Sequence, residues 1–337
     1  MATNQIGFER KDYIGAKSTL CSGCGHDSIT SHIISALYQS AVQPYQVAKI
    51  SGIGCSSKTP TYFLDKAAGF NSVHGRMAPV ATGAKVANHN LRIIGVSGDG
   101  DSASIGLGGF CHLLRRNVPM VYVVENNGVY GLTKGQFSAT ADEGSRRKSG
   151  EINQFSSIDL CALAIEMGCG FVARSFSGDA KQMVPLLRAA LEYKGTAFID
   201  VISPCVTFAN NPGSTKSYDS VKEHKYQLQQ MGFIEPKEEI SVDYEGATFI
   251  ELHDGSRLAL SKVDDKSFDV SDELEALRVL HQARKNQQFV TGLFYFNKDN
   301  PNLLDEEQLV APPLCDLNEE ELRPSRESLN KFQDFYA

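Results

Sequence analysis

Leu91-Arg92-Ile93-Ile94-Gly95-Val96-Ser97-Gly98-Asp99-Gly100-Asp101 and, one helix later, Pro119-Met120-Val121-Tyr122-Val123-Val124-Glu125-Asn126-Asn127-Gly128-Val129-Tyr130-Gly131 decide how this chain folds. Each is a short apolar run that ends in glycine and hydrogen-bonding side chains, and Ser102 to Arg115 between them reads as a helix. Continuous apolar strands alternating with helices argue for an α/β fold, a mostly parallel sheet covered by helices on both faces. Ligands of such sheets bind at the carboxyl ends of the strands, where both polar ends fall. The Asp99 carboxylate, the Asn127 side-chain oxygen and the Val129 carbonyl form the hard oxygen set that Mg²⁺ requires. Gly98 and Gly100 let the backbone approach a phosphate without interference from a Cβ. A carboxylate and a diphosphate repel each other unless a cation lies between them, so metal and anion are expected to bind together. Either fragment alone reads as a tight turn. Together they point to a thiamine-diphosphate site.

The alternation extends in both directions. His26 to Ala41, His74 to Asn90, Ile158 to Met167 and Ala180 to Tyr193 read as helices; Tyr45 to Ile50, Gly170 to Ser175 and Ala197 to Ser203 read as strands. Residues 126 to 157 make a long polar stretch, and loops of that length tend to carry function. Its Arg146-Arg147-Lys148 run reads as solvated surface, with a phosphate-bearing substrate such as coenzyme A as the alternative occupant.

Sulfur makes the second constellation. The chain has eight cysteines and no visible secretory signal or apolar run of membrane-spanning length, so a reducing cytoplasm is expected and disulfides are not. Cys111, Cys161 and Cys169 sit in apolar surroundings and read as small core residues. Cys21-Ser22-Gly23-Cys24-Gly25-His26, Gly52-Ile53-Gly54-Cys55-Ser56-Ser57 and Ser203-Pro204-Cys205 instead fall in loops at strand or helix ends. Four thiolates from such loops suit a tetrahedral zinc ion or a 4Fe-4S cube, and spacing does not separate the two.

These motifs, with His74-Gly75-Arg76, Pro79-Val80-Ala81-Thr82-Gly83 and Asn127 through Gln136, resemble the beta subunit of 2-oxoacid:ferredoxin oxidoreductases, most closely the 2-oxoglutarate type. The resemblance covers about two thirds of the chain and implies a thiamine-diphosphate-binding fold. It implies that Cys21, Cys24, Cys55 and Cys205 hold a 4Fe-4S cluster, which tips the sulfur argument from zinc to iron. It implies that Asp99, Asn127 and the Val129 carbonyl hold Mg²⁺. Ile53, Gly54, Cys55, Ser56, His74, Gly98, Gly100, Asp101, Gly131 and Leu132 then contact the cofactor. Asn126 stands where the family often has Asp, and the distance to Tyr130-Gly131 favours Asn127 as the ligand. Lys58 and Lys134 fall near the substrate end, where a cation offsets the desolvation of a 2-oxo acid's carboxylate. His26 and His74, at expected helix starts, are placed to meet a phosphate or to cap the helix.

The implied reaction is oxidative decarboxylation of a 2-oxo acid with coenzyme A to acyl-CoA and carbon dioxide, electrons passing from thiamine diphosphate through the cluster to ferredoxin. No segment reads as the domain that supplies the activating glutamate, so an alpha subunit is expected to complete the site, as an alpha2beta2 assembly. The chain alone is expected to be inactive. The rival reading is a non-redox thiamine-dependent decarboxylase or synthase subunit with structural zinc.

The formal charge of −7 hides an asymmetry: residues 232 to 337 hold 23 acidic and 11 basic side chains, leaving a net +5 on residues 1 to 231. A dispersed positive share beside proposed anion sites argues against nucleic-acid binding, which favours a concentrated basic face. The expected division is therefore a cofactor and cluster domain over 1 to 231 and an acidic packing or assembly extension over 232 to 337. The acidic extension is not expected to receive an acidic ferredoxin. Within it, Thr248 to Leu252 and Gln288 to Phe296 read as strands and Leu274 to Gln282 as a helix.

Overall fold

A computed structural model describes residues 3–210, 214–235, 247–262 and 268–336. Its strands are β1 (Val47–Ser51), β2 (Ala68–Asn71), β3 (Arg92–Gly98), β4 (Met120–Asn126), β5 (Val129–Tyr130), β6 (Gln136–Phe137), β7 (Phe171–Phe176), β8 (Thr196–Ile202), β9 (Lys225–Gln227), β10 (Gln229–Ile234), β11 (Ala247–Glu251), β12 (Arg257–Lys262) and β13 (Phe289–Phe296). Its helices are α1 (Gly25–Gln39), α2 (Met77–Ala87), α3 (Leu107–Arg115), α4 (Leu160–Glu166), α5 (Ala180–Glu192), α6 (Tyr218–His224), α7 (Glu273–Lys285), α8 (Leu303–Glu306), α9 (Glu319–Leu322) and α10 (Arg326–Tyr336).

The main sheet has eight strands in the order β2-β1-β3-β4-β8-β7-β13-β9, parallel from β2 through β7. Both faces are covered, which is why the strands are apolar at consecutive positions rather than alternate ones. Val96, Val123, Ile199 and Ala173 pack with Ile29, Ile33 and Leu37 of α1 and Leu186 of α5. Their neighbours Ile93, Tyr122, Phe198 and Val172 point the other way, toward Met77 of α2, Phe110 of α3, Leu160 of α4 and Leu280 of α7. Asp159, Asp179 and Asp272 cap α4, α5 and α7 with side-chain oxygens that accept otherwise orphaned backbone N–H groups. Among the described residues no helix is long and apolar enough to cross a membrane.

Three expectations change. The boundary at 231/232 falls inside β10, and β13 from the acidic part joins the main sheet by antiparallel pairing with β7. The charge step marks surface composition and not the edge of a core, because Val290, Leu293, Phe294 and Phe296 are uncharged and buried. The helix expected from His74 begins at Met77, after a turn with Gly75 at φ +67°. Cys161 and Cys169 are core residues, whereas Cys111 is only half-buried.

Candidate functional site

Four adjacent strands, β1, β3, β4 and β8, end at the same edge of the sheet, and the functional motifs follow those ends directly. Beyond the strands, the Gly52 N–H donates to the Val96 carbonyl at 2.8 Å and the Ser203 N–H to the Asn126 carbonyl at 2.8 Å, so the loops leave in register. A cleft between them is lined by Ile53, Gly54, Cys55 and Ser56 after β1, Gly98 to Asp101 around the end of β3, and Glu125, Asn127, Val129, Tyr130 and Gly131 at and beyond the end of β4; His26 of α1 completes the lining. Of the expected site residues, Cys21, Cys24, Cys205, His74, Leu132, Lys58 and Lys134 are not among that lining.

Asp99 is 1% exposed. Burial pushes its carboxyl up, against the hydroxyls of Ser138 and Thr140 and the Asn127 N–H, which stabilise the charged form. Ser138 donates to Oδ2 through a short contact, Thr140 donates to Oδ2 at 2.6 Å, and the Asn127 N–H donates to Oδ1 at 3.2 Å. The Asn127 side-chain oxygen accepts from the Val129 N–H at 3.1 Å, which fixes the side-chain amide against the turn that follows β4. Asn126 is engaged elsewhere: its amide donates to Asp200, which also pairs with Arg174. This leaves Asp99, Asn127 and Val129 as an oxygen set facing the cleft, and its chemistry fits a hard divalent cation.

Asp101, part of the cleft lining, also braces it. Its Oδ1 accepts from the Gly75 N–H at 2.6 Å and its Oδ2 from the Ile53 N–H at 3.2 Å and Ser97 Oγ at 3.0 Å. One carboxylate thus ties the Ile53 and Gly75 loops to the end of β3. The main chain after it makes a wide turn in which the Gly106 N–H reaches the Asp101 carbonyl at 2.8 Å, a helical irregularity frequent at functional sites.

Nothing in the local sequence marks Glu125, buried near the end of β4, as a site residue. Its carboxyl, with no exposure, lies 3.5 Å from His26 Nε2 and accepts from Thr59 Oγ1 at 2.9 Å. His26 Nδ1 lies 2.6 Å from Ser203 Oγ. Burial raises the Glu125 carboxyl well above its ordinary value and pushes His26 down to about 4.

Cys21, Cys24, Cys55 and Cys205 share one neighbourhood. A Cβ built on Gly131 would stand 3.3 Å from Cys55 Sγ and 3.9 Å from Cys205 Sγ. Cys24 is pushed up to about 12, by burial first and then by the charges of Glu125, Cys205 and Cys55, while an N–H bond from His26 at the start of α1 opposes the shift. Cys55 is raised by burial, then by Cys205 and Cys21. Holding all four sulfurs as thiolates would require positive charge among them. No group of three or more His, Cys, Asp or Glu side chains among the described residues is gathered for a single metal ion.

Lys58 is half-buried beside Cys55, whose thiol its charge lowers, and it reaches Thr19 Oγ1 at 3.4 Å. Lys134 is exposed in a turn at φ +76°. His74 is exposed as well. Arg147 and Lys148 lie against Phe137 and Phe208 at the protein surface.

Comparison with known proteins agrees with this geometry. Residues 52–201 match the model of the thiamine pyrophosphate enzyme C-terminal TPP-binding domain. The 2-oxoacid:ferredoxin oxidoreductase subunit beta of Saccharolobus solfataricus is 42% identical over 206 residues, 61% of this chain and 67% of that one. The 2-oxoglutarate synthase subunit KorB of Methanocaldococcus jannaschii is 35% identical over 189 residues, 56% of this chain and 69% of that one. Among the relatives from Saccharolobus, Sulfolobus and Aeropyrum, the matched stretch spans between 60% and 67% of their length. A structure of 2-oxoglutarate:ferredoxin oxidoreductase from Magnetococcus marinus, with 2-oxoglutarate, coenzyme A and succinyl-CoA bound, superposes with a TM-score of 0.73 at 27% identity, covering 98% of this chain and 96% of that one. The shared motifs, the strand-end cleft and these likenesses together make the chain a member of the family of 2-oxoacid:ferredoxin oxidoreductase beta subunits.

Proposed function

We propose that this chain is the beta subunit of an enzyme that oxidatively decarboxylates a 2-oxo acid with coenzyme A and delivers the electrons to ferredoxin. The observation that carries this reading is the position of Cys55. It lines the cleft with Asp99 and Asn127, and its sulfur shares the side of Gly131 with Cys205. A thiamine cofactor and a 4Fe-4S cluster held by these residues would be immediate neighbours.

In this reading Asp99, Asn127 and the Val129 carbonyl hold Mg²⁺, and Ile53 to Ser56, Gly98, Gly100 and Gly131 form the walls for the diphosphate. Cys21, Cys24, Cys55 and Cys205 ligate the cluster. When bound, thiamine diphosphate supplies an electron sink for decarboxylation and the cluster takes electrons one at a time. Lys58 and Lys134 are assigned to the substrate carboxylate, as residues outside the diphosphate cleft. The alpha subunit completes the pyrimidine side of the site in an alpha2beta2 assembly. 2-Oxoglutarate is the proposed substrate, supported by the relatives that carry its name.

The test is anaerobic co-expression with the alpha subunit, followed by coenzyme-A-dependent viologen reduction with 2-oxoglutarate, pyruvate and branched 2-oxo acids in parallel. Brown protein containing iron and sulfide, reducing the dye fastest with 2-oxoglutarate, is the expected result. Colourless protein that contains zinc and reduces no dye would overturn it.

A further inference from the structure

The polar segment after β6 brings two hydroxyls to Asp99, just beyond the end of β3. Ser138 is 5% exposed and Thr140 2%. Their segment is fixed by its own backbone: the Ser138 N–H donates to the Gly128 carbonyl at 3.1 Å, the Ala139 N–H to Ser104 Oγ at 3.2 Å, and the Ile158 N–H to the Ala139 carbonyl at 2.8 Å. Both hydroxyls meet the same oxygen, Asp99 Oδ2. Thr140 also lies 2.9 Å from the Asn126 side-chain oxygen, but it has one proton, and the shorter contact at 2.6 Å to a carboxylate oxygen takes it.

A carboxylate oxygen offers two lone-pair sites. On Oδ2 both are occupied by hydroxyl donors. Oδ1 receives only the Asn127 N–H, at 3.2 Å, and keeps one site open. We infer that Ser138 and Thr140 are positioning residues: they saturate Oδ2, fix the carboxylate's rotation and leave Oδ1 as the oxygen presented to the divalent cation. Neither hydroxyl touches the cation. Ser-x-Thr in the 126–157 loop thus acts on cofactor loading from beneath the metal ligand. This inference rests on the assignment of Asp99 to Mg²⁺ in the proposed function.

The experiment measures Mn²⁺ binding by electron paramagnetic resonance, with saturating thiamine diphosphate, on the complete alpha–beta complex and its variants Thr140→Val, Thr140→Ser and Ser138→Ala. Partners of this kind, one bond removed from a metal, change affinity by about 10–100-fold when lost. Thr140→Val and Ser138→Ala are each expected to weaken Mn²⁺ by about tenfold or more, and Thr140→Ser, which keeps the donor, to restore wild-type affinity. A role in folding alone would lower the urea midpoint and leave affinity unchanged in the folded fraction; that result, or wild-type affinity in both donor-lacking variants, overturns the inference. If Thr140→Val does not fold, the Ser138→Ala affinity decides by itself. A wild-type complex that takes up no Mn²⁺ with thiamine diphosphate would instead overturn the metal assignment, and the inference with it.

Discussion

The side-chain amide of Asn126 donates to Oδ1 of Asp200 at 2.9 Å, which separates the roles of two consecutive asparagines. Asp200 Oδ2 accepts from Arg174 Nε at 2.9 Å, and Arg174 reaches Asp159 at 2.7 Å. Asn126 therefore belongs to a buried ionic network under the sheet's edge, and Asn127 is left to the cleft. Asn126→Ala is expected to cost about 1–3 kcal/mol by stripping a partner from a buried carboxylate, with cation affinity reduced less than in Asn127→Ala. Asn127→Ala should unfold near the wild-type midpoint yet lose divalent-cation binding. Urea denaturation and Mn²⁺ titration of both variants check the pair; the reverse pattern would exchange their roles.

The same network sets an acid limit on stability. Burial alone would raise Asp159, but Arg174 and the N–H groups of Ala162 and Cys161 outweigh it and hold the carboxyl below its usual range. A carboxyl depressed in the folded state contributes stability that is complete above its unfolded value, about 3.9, and is lost as pH falls through the lower folded value. Asp159→Asn should thus destabilise by about 2 kcal/mol at pH 7, a discounted figure for a broken buried pair in which Asp200 still faces Arg174. The gap between wild type and variant should close below about pH 4. Unfolding midpoints measured from pH 7 to pH 3 test this, and a gap that widens toward acid would contradict it.

Much of the site was legible because the fold writes it at strand ends. Val121 to Val124 are apolar in succession since two helix layers cover the sheet, and that same pattern dates the loop in which Asn127 must lie. What sequence could not show are neighbours joined only by tertiary packing. Glu125 looked like the polar end of a strand, and nothing local reveals that His26, from a helix far upstream, closes over it. Asp101 sits in a motif that suggests cofactor contact, and nothing local shows that it also ties down loops from residues 53 and 75. Gln288 to Phe296 reads as a strand in isolation, but only pairing with β7 shows that it extends the main sheet. His74 carried a helix-start signal, and the turn through Gly75 moved that start to Met77.

Backbone shape at the cysteine loop gives a further prediction. Gly54 has φ 89° and ψ −159°, a region essentially reserved for glycine, immediately before Cys55. Gly54→Ala should cost about 1–3 kcal/mol and displace the adjacent sulfur. Gly131→Ala leaves backbone angles accessible but crowds Cys55 Sγ at 3.3 Å. Both variants are expected to hold less iron and sulfide per chain than wild type, with only Gly54→Ala also lowering the urea midpoint. Full iron content in Gly131→Ala would show that its neighbouring sulfurs do not ligate the cluster.

Two sets of donors lie beside one another and differ in chemical hardness, so their occupants should be separable. Thiolates of Cys21, Cys24, Cys55 and Cys205 suit iron and sulfide, whereas the oxygens of Asp99, Asn127 and Val129 suit Mg²⁺. Cys205 lies three residues after β8 and is only half-buried, so Cys205→Ala removes one sulfur without opening the core. That variant should lose visible absorption and most iron while keeping thiamine diphosphate. Asp99→Ala should do the opposite, remaining brown and failing to retain the cofactor, because the Ser138 and Thr140 hydroxyls lose their carboxylate and the cation its anionic ligand. Iron, sulfide and thiamine analysis of the anaerobically purified complexes reads both sites in one preparation. Simultaneous loss of both groups in either variant, with the circular dichroism of wild type retained, would mean that cation and cluster share donors, and the separation of oxygen from sulfur at this edge of the sheet would have to be abandoned.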